Sequence, residues 1–168
     1  MESSVTHLFF RAAIAATIVL AAGAASAGDF DGAYAGVNAS AGINAPVIPD
    51  YEFGAFAGYN AGVSNGMVVG GEADVAYNPN SLWGPDAVTA KVNARGGYEV
   101  TNEVMLYGKA GIGYTTGGPG SMVWSLGAGA DIQVLDNVLL RAEAERVDPT
   151  TVGMLTQYNG KIGVGYAF

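Results

Sequence analysis

Cysteine is absent from this 168-residue chain. That excludes disulfide staples, thiolate metal sites and thiol catalysis. There is one histidine, His7. It falls in an N-terminal segment read below as a removable leader, so the mature chain has no imidazole to activate a hydroxyl or hold a metal. Basic side chains number 7 against 15 acidic ones, a formal net charge of −8. Nucleic acid demands clustered Lys and Arg, so it is excluded as a partner. Half of the residues are hydrophobic. Yet after the leader no apolar run reaches the roughly 18 residues that a membrane helix requires.

The leader is legible in composition. Arg11 precedes the apolar run Ala12 to Ala22, which closes in Ala25-Ser26-Ala27 before polarity resumes at Gly28-Asp29. A short apolar core ending in an A-x-A site is a secretory signal peptide. Residues 1–27 are therefore expected to be removed, leaving one mature domain over 28–168.

The mature chain shows period-two patterning eight times, over 32–43, 52–63, 67–78, 87–99, 104–115, 121–134, 138–147 and 156–168. Such segments fit either a soluble sandwich or a barrel crossing a membrane with tilted strands. What the alternation sorts decides between them. Over 87–99, Val88, Ala90, Val92, Ala94 and Tyr98 share one face, and Lys91, Asn93, Arg95 and Gly97 share the other. Over 138–147, Leu140, Ala142 and Ala144 oppose Arg141, Glu143 and Glu145. The last segment opposes Tyr158, Ile162, Val164, Tyr166 and Phe168 to Asn159, Lys161, Gly163 and Gly165. Glycine and charge on one face suit a narrow lumen, where glycines leave room for long side chains.

That polar face carries Glu72, Asp74, Asp131, Glu143 and Glu145 against Lys91, Arg95, Lys109, Arg141 and Lys161. Five acids balance five bases, as buried charges require if they are to be paired. These ten residues are the expected lumen charge network. Glu143 with Glu145 also has the look of a carboxylate pair for acid–base work, but Arg141 and Lys161 offer structural partners.

All six prolines fall in every second connection, 44–51, 79–86, 116–120 and 148–155, while the other three connections are tight. Long loops at one end and short turns at the other mark an outer-membrane barrel, with the loops outside the cell. The acids Asp50, Glu52, Asp86 and Asp148 are expected near the outer rim, as solvated loop acids or a cation-binding edge. Aromatics on the apolar parity form two groups, Phe53, Tyr77, Tyr114, Trp124 and Tyr158 toward the loops and Tyr98, Tyr166 and Phe168 toward the turns. Two interfacial girdles are expected of such a barrel. Arg146 has lipid-facing parity near the outer rim, where it can snorkel. The run Gly117-Gly118-Pro119-Gly120 lacks the Lys-Ser/Thr ending of a phosphate loop and reads as a loop tip.

Several stretches carry a family likeness: Phe56-Ala57-Gly58-Tyr59-Asn60, Gly70 to Tyr77, Gly96-Gly97-Tyr98, Leu106 to Tyr114, Leu139 to Glu143 and Ile162 to Phe168. Through them the chain resembles the small eight-stranded outer-membrane β-barrel and opacity-protein (porin-like) family, in its alphaproteobacterial form. The resemblance implies an all-β, eight-stranded, antiparallel up-and-down transmembrane barrel in the cell outer membrane. It also implies that the barrel-assembly machinery reads the terminal strand, with Tyr166 and Phe168 as the assembly signal. Outer-membrane lipid and lipopolysaccharide are the expected surroundings. The chain departs from the family in its short loops and in Ala144 and Arg146, where relatives often carry an aromatic pair. A periplasmic peptidoglycan-binding domain, as larger relatives have, is not expected after Phe168. Neither a cofactor nor an enzymatic centre is expected. The functional readings left open are a structural envelope protein, a narrow porin for ions or small solutes, and an adhesin or receptor. Oligomeric state is not legible.

Overall fold

A computed structural model describes residues 30–44, 48–79, 86–116 and 119–168. The leader, its cleavage site and the loop around Trp83 lie outside the described residues. Eight strands follow one another: β1 (Gly32–Asn44), β2 (Ile48–Ser64), β3 (Met67–Asn78), β4 (Ala87–Thr101), β5 (Val104–Thr115), β6 (Ser121–Leu135), β7 (Val138–Pro149) and β8 (Gln157–Ala167). Each pairs antiparallel with its sequence neighbours, and β1 pairs with β8, from Tyr34↔Ala167 to Asn44↔Gln157. The result is a closed up-and-down barrel without a free sheet edge.

Local chemistry explains the turns. Between β2 and β3 the chain reverses through Asn65 (φ 50°) and Gly66 (φ 77°). Positive φ at both positions is the type I′ hairpin that Asn-Gly favours, because its twist matches that of the strands. Register irregularities occur at Gly62/Ser64, Glu99/Thr101 and Gln133/Leu135. All three sit on the strand entering a short turn, at the barrel rim where bulges help strands bend.

Two expectations fail at the loop end. The segment 44–51 is not an eight-residue loop, because β2 begins at Ile48 and only 45–47 connect it to β1. Pro49 pairs with Ile43 near the loop-end rim. Proline holds an extended φ and is tolerated at the end of a strand. Pro149 likewise closes β7 opposite Val123, beyond the last β7–β8 pair at Val147↔Gln157.

The barrel is inside-out relative to a water-soluble protein. Val37, Val92, Ile112 and Ile162 are 58–71% exposed on the outer wall, while Glu72, Asp131 and Arg141 are 1–4% exposed inside. An apolar surface this continuous requires a hydrocarbon environment. Inside, two clusters of buried apolar residues lie toward the turn end. There Phe30, Val68, Met105 and Tyr107 form one cluster, and Tyr34, Phe56 and Leu139 another.

Candidate functional site: the charged lumen

Alternation along β3 to β8 aims the ten expected network residues into the lumen, and none is more than 6% exposed. They form two layers. Nearer the turn end, Glu72 and Asp131 hold two guanidinium groups. Arg141 donates from Nε and Nη2 to the two oxygens of Asp131, at 2.8 and 3.0 Å, and from Nη1 to Glu72 at 2.6 Å. Arg95 donates to Asp131 at 2.8 Å and to Glu72 at 3.3 Å. Planar, multidentate geometry of this kind suits arginine rather than lysine.

Aromatic rings brace that layer. The Arg141 guanidinium carbon lies 4.0 Å from the Phe56 ring centroid, and that of Arg95 lies 3.9 Å from the Tyr107 centroid. The Tyr34 hydroxyl accepts from Arg95 at 2.8 Å and donates to Glu72 at 2.9 Å. The Tyr107 hydroxyl donates to Glu143 at 2.9 Å. Residue parity already places these rings inward, since Tyr107 shares a face with Lys109 and Tyr34 shares one with Asn38 and Ser40.

Nearer the loop end, three lysines meet three acids. Lys109 lies 2.8 Å from Glu143, 3.4 Å from Glu72, 3.6 Å from Asp74 and 3.9 Å from Glu145, and so joins the two layers. Lys91 pairs with Glu145 and lies 3.7 Å from Asp74, which also accepts from Asn93 at 3.0 Å. Lys161 pairs closely with Glu145 and lies 3.7 Å from Glu143. The carboxylates of Glu143 and Glu145 are therefore both engaged by ammonium groups rather than poised for proton transfer.

The glycines of the lumen face make room for aromatic rings, asparagine amides and lysine stems alike. A Cβ at Gly129 would stand 2.7 Å from the Tyr107 hydroxyl, and one at Gly58 would collide with Tyr34. Gly127 does the same for a lysine, since its Cβ would meet the Lys109 stem at 3.4 Å.

Asp50 and Glu52 are not solvated rim acids. They point inward and are only 6% and 7% exposed. The buried inward charges among the described residues are thus seven acids against five bases, not a balanced ten. Neutral donors surround the extra pair: Asp50 accepts from Asn44 at 3.1 Å, from Gln157 at 2.8 Å and from Asn78. Glu52 accepts from Gln157 at 3.1 Å and Ser40 at 3.3 Å. They line a cavity of about 50 Å³ at the loop end, partly covered by Met154 and Leu155 of the β7–β8 loop. At the turn end a cavity of about 10 Å³ lies beside Asn60, Asp131 and Leu139. The first admits a few waters and the second about one. Asp86 and Asp148 are at the loop end as expected. Asp86 accepts from Tyr77 at 2.6 Å, and Asp148 is paired with Arg146 at 2.7 Å.

Tyr166 and Phe168 lie at the turn end with their rings edge to face, 5.1 Å between centroids. Both are about half exposed on the outer wall.

The family model described as outer membrane protein beta-barrel domain matches residues 12–168. No curated protein sequence matches the chain. Among solved structures it is similar to Ail, the attachment invasion locus protein of Yersinia pestis, with 19% identity and a TM-score of 0.57 over 82% of this chain and 99% of that one. Neisserial surface protein A is similar at 17% identity and a TM-score of 0.61, over 82% and 98%. The outer membrane enzyme PagL is similar at 13% identity and a TM-score of 0.56, over 79% and 99%. At these identities the shared property is the fold.

Proposed function

The chain belongs to the outer membrane protein β-barrel domain family, and from that premise we propose that it is a non-enzymatic structural barrel with a closed lumen, supporting envelope integrity and presenting short loops. It is located in the outer membrane, with its loop end outside and its tight turns in the periplasm, as in barrels of this class. The observation that carries the reading is the filled lumen. Two interlocked layers of charge, all ten members at most 6% exposed, cross the barrel between small cavities at either end. An eight-stranded barrel is just wide enough for side chains to fill in this way.

Catalysis finds little support in the side chains. PagL shows that the fold can host an enzyme, but the mature chain has no His or Cys and its central carboxylates are held by cations. The proposed surroundings are outer-membrane lipid and lipopolysaccharide, and the barrel-assembly machinery is proposed to read the strand ending in Tyr166 and Phe168.

The test is conductance of the mature chain, refolded into a planar lipid bilayer after a heat-dependent gel shift confirms folding. A folded, silent barrel is expected. Discrete, reproducible openings would overturn the closed-lumen reading and put a narrow porin in its place.

A further inference from the structure

The outer wall has one feature that a lumen-centred account leaves unused. Six cationic side chains lie among the described residues, and five of them are in the lumen. The sixth, Arg146, stands on the outer wall at the loop end, its side chain 47% exposed. It is built in rather than loose. Asp148 accepts from Nη2 at 2.8 Å, its other carboxylate oxygen lies 2.7 Å from Nε as an ion pair, and the Thr156 hydroxyl donates to Asp148 at 2.8 Å. The guanidinium carbon is 5.6 Å from the Trp124 ring centroid and 5.8 Å from that of Tyr158. Asp148 occupies one edge of the guanidinium, and five donors in a planar fork leave the other edge available.

Below this arginine the wall is hollow. Cross-strand register sets Leu126, Arg146 and Tyr158 in one row over β6, β7 and β8, and Ala128, Ala144 and Gly160 in the next. The following row is Ala130, Ala142 and Ile162. The row of small residues, Ala128, Ala144 and Gly160, beneath larger ones leaves a concavity of about 530 Å³ below Leu126, Arg146 and Tyr158. A second, almost wholly apolar hollow of about 830 Å³ continues beside Ala142 and Ile162 toward Phe53 and Val37.

We propose that this face binds one molecule of lipid A, the phosphorylated glycolipid portion of lipopolysaccharide, with a phosphate on the free edge of Arg146 and an acyl chain in the furrow over Ala128, Ala144 and Gly160. Charge complementarity selects the occupant. Elsewhere the rim presents acids such as Asp86, which repel an anionic headgroup, so Arg146, the one outward cation among the described residues, is the place where such a headgroup is attracted. The adjoining hollow removes apolar chain from disordered lipid and holds it against a fixed wall. A second copy of the chain does not fit. A two-fold axis normal to the membrane would set Arg146 against Arg146. The inference rests on the proposed function only in placing the loop end in the outer leaflet; a conducting lumen would not touch it.

The mature chain folded in detergent micelles, titrated with hexa-acylated bisphosphorylated lipid A and read by native mass spectrometry, tests it. One lipid A per barrel is expected to stay bound where phosphatidylglycerol and dephosphorylated lipid A are lost. Arg146→Gln is expected to weaken retention about tenfold, the effect of losing one charge-assisted contact. Ala144→Phe and Ala128→Phe, which fill the furrow and keep the arginine, are expected to weaken it similarly. Ala94→Phe, on the outer wall of β4, is expected to change nothing. Each variant is first checked for the folded gel mobility. Equal retention of phosphatidylglycerol, or undiminished lipid A binding by Arg146→Gln together with a folded furrow variant, would overturn the proposal.

Discussion

Arg141→Ala is the perturbation on which the closed lumen depends most directly. The side chain donates three charge-assisted hydrogen bonds, two to Asp131 and one to Glu72, and covers the Phe56 ring. Its removal leaves two buried carboxylates short of a partner. Breaking a buried ion pair from one side costs about 3–5 kcal/mol. Here Arg95 still reaches both acids and Lys109 still reaches Glu72, so the expected loss is near the lower end, about 3 kcal/mol. Arg141→Lys keeps the charge but cannot reproduce the fork, and a loss of about 1–2 kcal/mol is expected. The assay is urea unfolding from phospholipid vesicles, followed by tryptophan fluorescence and by the heat-dependent gel shift. A double-mutant cycle with Asp131→Asn should return a coupling energy of about 1–3 kcal/mol. If Arg141→Ala costs less than about 1 kcal/mol, the magnitude of an exposed ion pair, the lumen is wet enough to solvate both acids. The structural reading of the network would then be wrong.

Three further changes test other parts of the structure. Gly129→Val should destabilise by about 1–3 kcal/mol, because the added atoms drive the Tyr107 hydroxyl off Glu143. Gly96→Ala, with nothing within 4 Å of its Cβ, should be neutral or slightly stabilising in the same urea titration. Phe168→Ala should lower the amount of folded barrel recovered from outer membranes while leaving the unfolding midpoint of refolded protein nearly unchanged. A matching fall in both would assign the residue to stability rather than to assembly.

The strands were legible because alternation is strong wherever charge marks one face, as with Lys91, Asn93 and Arg95 on β4. The turn at Asn65-Gly66 was legible because few dipeptides tolerate two positive φ angles. The start of β2 was not. Pro46, Pro49 and Asp50 have turn chemistry, and nothing local reveals that Pro49 and Asp50 pair with Ile43 and Gly42 of β1. Placing Asp50 in a loop hides its inward parity, which follows once β2 is extended to Ile48; Glu52 opens the expected strand and is misplaced only in being set at the solvated rim. Tyr34, Phe56 and Tyr107 were missed for another reason. Aromatics in a barrel are expected at the lipid interfaces, so their inward parity carries little weight in the sequence until the guanidinium groups stacked on the rings are seen. Parity puts the glycines on the correct face, and the space at Gly113 and Gly127 serves lysine stems as expected, whereas at Gly58 and Gly129 it belongs to tyrosines.

The arrangement bears on how difficult this lumen is to open. In lipid the outer wall gains little by packing against itself, so the interior must hold the barrel's cross-section through hydrogen bonds and ion pairs. Those contacts are shared rather than pairwise: Lys109 approaches four carboxylates, and Glu72 is approached by three cations and a tyrosine hydroxyl. Removing one member leaves its partners other contacts, so a single lysine substitution should lower stability without creating a continuous water path. Opening the lumen requires parting both layers at once, Arg141 and Arg95 from Asp131 below and Lys109 from Glu143 above. The apolar plug of Phe30, Val68 and Met105 then still stands at the periplasmic end. An Arg141→Ala barrel that unfolds at lower urea but stays silent in a planar bilayer is what this shared network entails. A single substitution that opened a steady conductance would mean that one contact, not the layered network, keeps the channel shut.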